Sequence, residues 1–241
     1  DPKCRHLVIS QNLLPHLWQL GVLGGRSFDV LIERWPMEEM QRRLDHAKTA
    51  HPQSTTLADF RADAELLRAE REALAAAGRL ITPHLALATY FGTRAWLIPW
   101  KMPEPLPRTS PNEKPNFQEK PSLFFPASRL GRKGAFELAA ALKSGINAQL
   151  CYLGAADEGN ADPFTEIPCH RGKVSDLASA TALVIPAWIE HQPRLALLAL
   201  ASGIPVIATE ACGLPPHELL HLISIPDSHA LATVLRSVLK G

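Results

Sequence analysis

The feature that most constrains this chain is an alternation in its second half. Apolar runs at 122–127, 148–153, 181–186, 204–208 and 222–225 are separated or followed by helical patterns at 134–144, 193–202 and 228–239. Runs this short and continuously apolar suit strands buried on both faces, and helices between them supply the covers. The pattern predicts an α/β fold with a parallel sheet, whose ligands bind beyond the carboxyl ends of the strands. With 46% hydrophobic and 20% charged residues in 241, the chain carries enough apolar material for a large core, which excludes disordered and fibrous classes.

Prolines crowd the stretch from Pro99 to Pro121, among Asn, Glu and Lys. Such a segment favours extended backbone and lacks donors, so it reads as a linker between two folded parts. The expected division is a partial N-terminal domain over 1–105, a linker over 106–121 and a C-terminal domain over 122–241. In the first part, helical spacing appears over 13–23 and 37–50, and strand runs over 28–32, 79–83 and 95–99. A longer helix is expected over 57–77, with Leu57, Phe60, Ala64, Leu67 and Leu74 as its apolar stripe, Asp59, Arg61 and Asp63 on its solvated face, and Gly78 as its cap. The first clear strand falls only at Phe28 and the chain opens at Asp1 without an initiator Met, so the N-terminal domain reads as incomplete.

Lys and Arg total 25 against 24 Asp and Glu, which leaves no global field to steer the chain onto nucleic acid, and no nucleic-acid partner is expected. Cys4, Cys151, Cys169 and Cys212 form no Cys-x-x-Cys pair, so they read as reduced thiols with neither a metal cluster nor a disulfide framework. The stretch His6–Gly25 has no Asp, Glu, Lys or Arg, but Gln11, Asn12, Pro15 and His16 interrupt it; no transmembrane helix or signal peptide is expected. The expected compartment is the cytoplasm, with peripheral attachment to a membrane left open.

Two strand ends carry chemistry. After the strand Leu123–Ala127 come Arg129, Arg132 and Lys133, then Gly134 and a helix, with no carboxylate beside the cations in sequence. Cations at a helix start oppose its dipole unless an anion is bound, so Arg129 and Lys133 point to a phosphate. The strand Thr181–Pro186 leads to Glu190, a carboxylate at the same edge, flanked by His191 and Arg194. His84, after Leu80-Ile81-Thr82-Pro83, occupies another strand-end loop.

These pieces, in this order, resemble the nucleotide-sugar-binding domain of group-1 glycosyltransferases. Arg129-Leu130 with Lys133-Gly134 is similar to that family's diphosphate contact, Leu153-Gly154 to its strand end, and Pro186 to Glu190 to its Pro-x-x-x-Glu segment. Gly203 to Thr209 and the turn Gly213-Leu214-Pro215 match as well, and a weaker likeness runs back over Glu70 to Pro99. The resemblance implies a GT-B fold, two Rossmann-like domains facing a cleft, the first one here incomplete because two such domains need roughly 300 residues at about 150 each. It implies a hexosyltransferase-like enzyme that takes a sugar from a nucleotide diphosphate donor with retention of configuration, using no cofactor and no obligatory metal. Arg129 and Lys133 would neutralise the leaving diphosphate, Glu190 would orient the sugar, and Gly154, His191, Arg194, Gly213 and Leu214 would line the donor. A carbohydrate or lipid-linked acceptor would meet loops such as that of His84.

The chain departs from the family pattern at three places. The family's second Glu falls on Leu198, its glycine-rich tripeptide on His191-Gln192-Pro193, and its Glu after Gly-Leu-Pro on Pro216. Two further readings therefore stand beside the enzyme: a non-catalytic GT-B-like module that has lost ribose recognition, and a phosphate-binding doubly wound protein with other chemistry, such as an epimerase.

Overall fold

The computed structural model describes residues 4–107 and 120–240. It is α/β with parallel sheets, as the alternation requires. The chain groups into two compact units: the first takes the described parts of Asp1–Arg43, Phe60–Trp100 and Gly213–Pro215, the second those of Leu44–Asp59, Lys101–Cys212 and Pro216–Gly241. Packing thus interleaves the two units along the chain, where composition alone points to one division at the prolines. Most of the expected linker, 108–119, lies outside the described residues.

The first unit is built on the parallel strands β1 (His6–Ser10), β2 (Ser27–Leu31), β3 (Leu80–Thr82) and β4 (Ala95–Leu97), in that spatial order. β1 corrects the expectation that strands begin at Phe28. It is an edge strand of His-Leu-Val-Ile-Ser, with Val8 58% exposed, so it lacks the continuous apolar run that marks a central strand. Its helices are α1 (Leu14–Gln19), α2 (Met37–Ala50), α3 (Ala64–Ala76) and α4 (Leu85–Phe91), with α2 grouped here only as far as Arg43 and in the second unit from Leu44. α2 matches its expected bounds, with Glu38 and Glu39 in its first turn and Lys48 in its last, all favourable to the dipole.

α3 begins seven residues later than its apolar spacing suggests. Asp63 caps it by accepting from Leu66 N at 2.8 Å, and the buried face is Ala69, Glu70, Ala73 and Leu74. Leu57 and Phe60 are outside the helix, and Leu57 is buried in the second unit instead. Glu70, 2% exposed, is compensated by Arg34 at 2.8 Å, Gln11 Nε2 at 3.2 Å and the N–H of Met37 at 2.5 Å.

The second unit holds β5 (Ser122–Phe125), β6 (Gln149–Tyr152), β7 (Cys169–Arg171), β8 (Ala182–Ile185), β9 (Val206–Thr209) and β10 (Leu220–Ile223), all parallel, with spatial order β10-β9-β8-β5-β6-β7. Helices α5 (Ala135–Lys143), α6 (Arg194–Ala201) and α7 (Ser228–Val238) connect and cover them. Counted within the unit this is the 3-2-1-4-5-6 arrangement of doubly wound nucleotide-binding sheets. Leu123 and Phe125 of β5 pack with Leu138, Leu142, Ile207, Leu231 and Leu235 in one core cluster, while Phe124, equally buried, points to the opposite face. Phe164 closes that cluster edge-on against Phe125, ring centres 5.7 Å apart.

Phe125→Ala should lower the urea-derived stability by about 3–5 kcal/mol, because it empties a fully buried site. Val8→Ala, at an exposed edge position, should change it by less than about 0.5 kcal/mol. Equal effects at the two positions would contradict this placement of the core.

Candidate functional site

In the 3-2-1-4-5-6 order the chain reverses direction of travel between β5 and β8, which are hydrogen-bonded neighbours. At such a point the loops leaving the two carboxyl ends diverge and leave a crevice that takes ligands. Here those loops are residues 126–134 and 186–193. They contain Arg129, Arg132, Lys133, Glu190 and His191, so the strands themselves bring the cations and the carboxylate to one edge.

Two glycines let the loops approach closely. Gly134 sits at φ +78° before α5, and a Cβ there would fall 1.8 Å from the carbonyl oxygen of Pro186. Gly154, just past β6, donates to Ala127 O at 3.1 Å, and a Cβ there would fall 1.9 Å from Ser128 Oγ. Both residues are required as glycine by space, and Gly134 also by conformation. The loops are then tied together by Arg132 O, which accepts from Trp188 N at 3.1 Å and Ile189 N at 3.3 Å.

The cations have carboxylate partners that were not visible as neighbours in sequence. Lys133 Nζ lies 2.8 Å from Glu190 Oε2, and Glu190 Oε1 accepts from the N–H groups of His191 and Gln192 at 2.9 and 3.0 Å. Burial works to raise the Glu190 carboxyl; the charge and hydrogen bond of Lys133 and the N–H of Gln192 outweigh it and bring it below the usual range. Arg129 reaches Asp157 at 2.9 Å, makes a close pair with Asp162, and lies over the ring of Tyr152 at 4.9 Å. Asp157 and Asp162 follow the carboxyl end of β6, so the edge rule that singled out Glu190 applies to them as well.

Glu158 is the polar group that sequence reasoning missed entirely. It is fully buried, and its carboxylate accepts from Gly131 N at 2.6 Å, Thr55 N at 2.7 Å, Ser54 Oγ at 2.9 Å and Thr56 Oγ1 at 2.6 Å. Burial pushes the carboxyl up, but the hydroxyls of Thr56 and Ser54 and the N–H groups of Gly131 and Thr55 hold it at about 2. Leu57 packs over the same loop, 3.0 Å from where a Cβ on Gly131 would stand. The cation loop is thus buttressed by residues 54–57 of its own unit.

The remaining expected residues separate. Arg194, at the start of α6, is exposed; His191 is half-buried; Leu198, on α6, is half-buried. His84, Gly213 and Leu214 group in the first unit. His84 is 1% exposed and its Nδ1 caps α4 by accepting from Leu87 N at 3.3 Å. Gly213, at φ +53°, packs so closely that a Cβ would fall 2.0 Å from His84 Nδ1, and its carbonyl accepts from Leu85 N at 2.9 Å and Trp100 Nε1 at 3.2 Å. Leu214 is buried beside it. Cys212 is enclosed, and burial followed by the charge of Glu190 pushes its thiol up to about 12.

No protein-family model and no curated protein sequence matches the chain. Solved structures do. Sucrose-phosphate synthase from Thermosynechococcus elongatus aligns with 98% of this chain and 64% of its own length, at 19% identity and a TM-score of 0.70. Anabaena HepE in complex with UDP aligns with 98% of this chain and 69% of its own, at 15% identity and 0.66. The lipopolysaccharide outer core galactosyltransferase WaaB aligns with 98% and 90%, at 14% identity and 0.52. The fold is that of GT-B glycosyltransferases, as the resemblance implied. This chain spans somewhat under two thirds of the length of the synthase.

Two outcomes follow from the geometry. Gly134→Ala should destabilise by at least ~2 kcal/mol, since it adds left-handed strain to a clash with Pro186, measured by denaturant midpoint. For Glu158 the folded-state value lies below the unfolded one, so its contribution is complete above about pH 4.5 and is lost as pH falls toward 2; wild type should lose about 3 kcal/mol more than Glu158→Gln across that window. Parallel pH profiles for the two proteins would overturn the assignment of Glu158 as a buried anion.

Proposed function

We propose that this chain binds a nucleotide diphosphate sugar at the carboxyl edge of the second sheet and transfers the sugar to a carbohydrate or lipid-linked acceptor. The observation that carries the reading is the convergence of Arg129, Lys133 and the N-terminus of α5 at the switch point of a 3-2-1-4-5-6 sheet. First-turn N–H groups of a helix lack partners inside the helix and complement an anion. UDP and UDP-glucose, bound by HepE in its solved complexes, belong to the ligand class that suits such an edge.

In this reading the diphosphate displaces carboxylates from their cations. Lys133 moves from Glu190 to the phosphate, and Glu190, freed of the ammonium, accepts from hydroxyls of the donor sugar. Arg129 exchanges Asp157 or Asp162 for a phosphate oxygen. As the bond from the anomeric carbon to the diphosphate oxygen breaks, negative charge grows on the leaving group, and fixed cations stabilise it more than they stabilise the ground state. The reaction proceeds with retention and needs no obligatory metal. No cofactor other than the sugar nucleotide takes part.

A non-catalytic module is the second reading, supported by Leu198, which offers no acceptor for ribose hydroxyls, and by the ion pairs that already occupy Arg129 and Lys133. Calorimetric titration with UDP, GDP, ADP and UDP-glucose separates the two. The enzyme reading expects binding of at least one, weakened roughly 10- to 100-fold by Lys133→Ala, the equivalent of one charge-assisted hydrogen bond. Absence of heat with every one of these ligands, in a protein whose circular dichroism shows it folded, establishes the second reading instead.

A further inference from the structure

Away from the cation loops, β6 and β7 set three ligand-type side chains together. Cys151 on β6 is in register with His170 on β7, so both side chains leave the same face of the sheet. Asp176 comes back over that face from the 3-10 turn Val174–Ser179. One ligand atom from each of the three lies within 4.8 Å of the others. Around a tetrahedral zinc ion the corresponding separations are roughly 3.3–3.6 Å, given metal–ligand bonds of about 2.0–2.3 Å. Rotation of the exposed His170 and a small movement of Asp176 close that gap.

The surroundings support convergence. Gly172, between His170 and Asp176, has no side chain, and a Cβ there would stand 2.3 Å from Cys151 Sγ and 2.5 Å from Asp176 Oδ2. Any other residue would force the sulfur and the carboxylate apart. Asp176 is oriented by accepting from Lys173 N at 2.8 Å, and the Gln149 amide lies 3.5 Å from His170 Nδ1, where it can fix the ring. Burial and then the charge of Asp176 push the Cys151 thiol up to about 11, so a cation bound between the sulfur and the carboxylate would have to displace the thiol proton.

We propose that Cys151, His170 and Asp176 form a binding site for one zinc-like divalent cation, which fastens the edge strand β7 and its following turn to β6. A thiolate, an imidazole and a carboxylate select a borderline cation over magnesium or calcium. On binding, the sulfur–metal bond forms as the thiol proton leaves to solvent, and water takes the fourth position. The site is independent of sugar-nucleotide chemistry.

Cobalt(II) titration of the full chain tests it, because cobalt coordinated by thiolate gives a charge-transfer absorption in the near ultraviolet that oxygen and nitrogen ligands do not. One equivalent should develop that band, and zinc should bleach it by displacement. Cys151→Ser should abolish the band, while His170→Ala, at an exposed position that the fold tolerates, should weaken cobalt binding about 10-fold or more. Gly172→Ser, which separates sulfur and carboxylate, should weaken it similarly. A wild-type protein without the band, or a folded Cys151→Ser or His170→Ala variant that binds as the wild type does, overturns the proposal.

Discussion

The candidate site exists because two stretches of backbone come closer than any side chain would allow. Gly134 lies against the carbonyl of Pro186, and Gly154 against Ser128, so the loops after β5, β6 and β8 meet at one corner of the sheet. Everything polar at that corner inherits its position from those approaches. Lys133 precedes Gly134, Arg129 follows Ser128, and the segment leading to Glu190 leaves Pro186. Bulk at either glycine would move charged groups that are themselves buried or half-buried, where misplacement is costly.

Charge compensation is the second organising condition. Arg129, Lys133, Glu158 and Glu190 are withdrawn from water to different degrees, and each is matched: Arg129 by two aspartates and a tyrosine ring, Lys133 by Glu190, and Glu158 by hydroxyls and amides alone. The last case differs in kind, since its carboxylate is held by the hydroxyls of Ser54 and Thr56 and the N–H groups of Gly131 and Thr55. An anion stabilised by dipoles is held by orientation, so the loop at Gly131 and the segment Ser54–Thr56 must keep fixed directions for the carboxylate to remain ionised. Arg129 and Lys133 are thus held by carboxylates brought in from other loops, and the corner carries its opposite charges in pairs.

Legibility in the sequence followed burial. β5, β8 and β9 are continuous apolar runs because both faces of each are covered, and their positions and helical partners could be read off directly. β1 and β7 could not. Both sit at sheet edges with polar or exposed residues, and β7 is only Cys-His-Arg. α4 escaped notice because a helix of seven residues, Leu85–Phe91, gives too little spacing to show a period. Leu57 misled for the opposite reason: it is apolar and fits the helical spacing of α3, but its burial comes from the cation loop. Of the site, Arg129, Lys133 and Glu190 were accessible because strand ends announce them. Their partners at 157 and 162, and the buttress at Ser54–Thr56, depend on contacts that link distant parts of the chain and leave no local signature.

Glu158 also bears on where this protein can be divided. The prolines before residue 121 look like a place to cut, and a fragment of 120–240 would contain every strand of the second sheet. It would lack Ser54, Thr55 and Thr56, the donors of most of the hydrogen bonds to the carboxylate, and Leu57, which covers Gly131. The excised sheet would open the loop at Gly131 to water or take up a proton at Glu158 to stay closed. Secondary structure would survive such a cut while the packing of this loop corner would not, so a domain complete by strand count is incomplete by solvation.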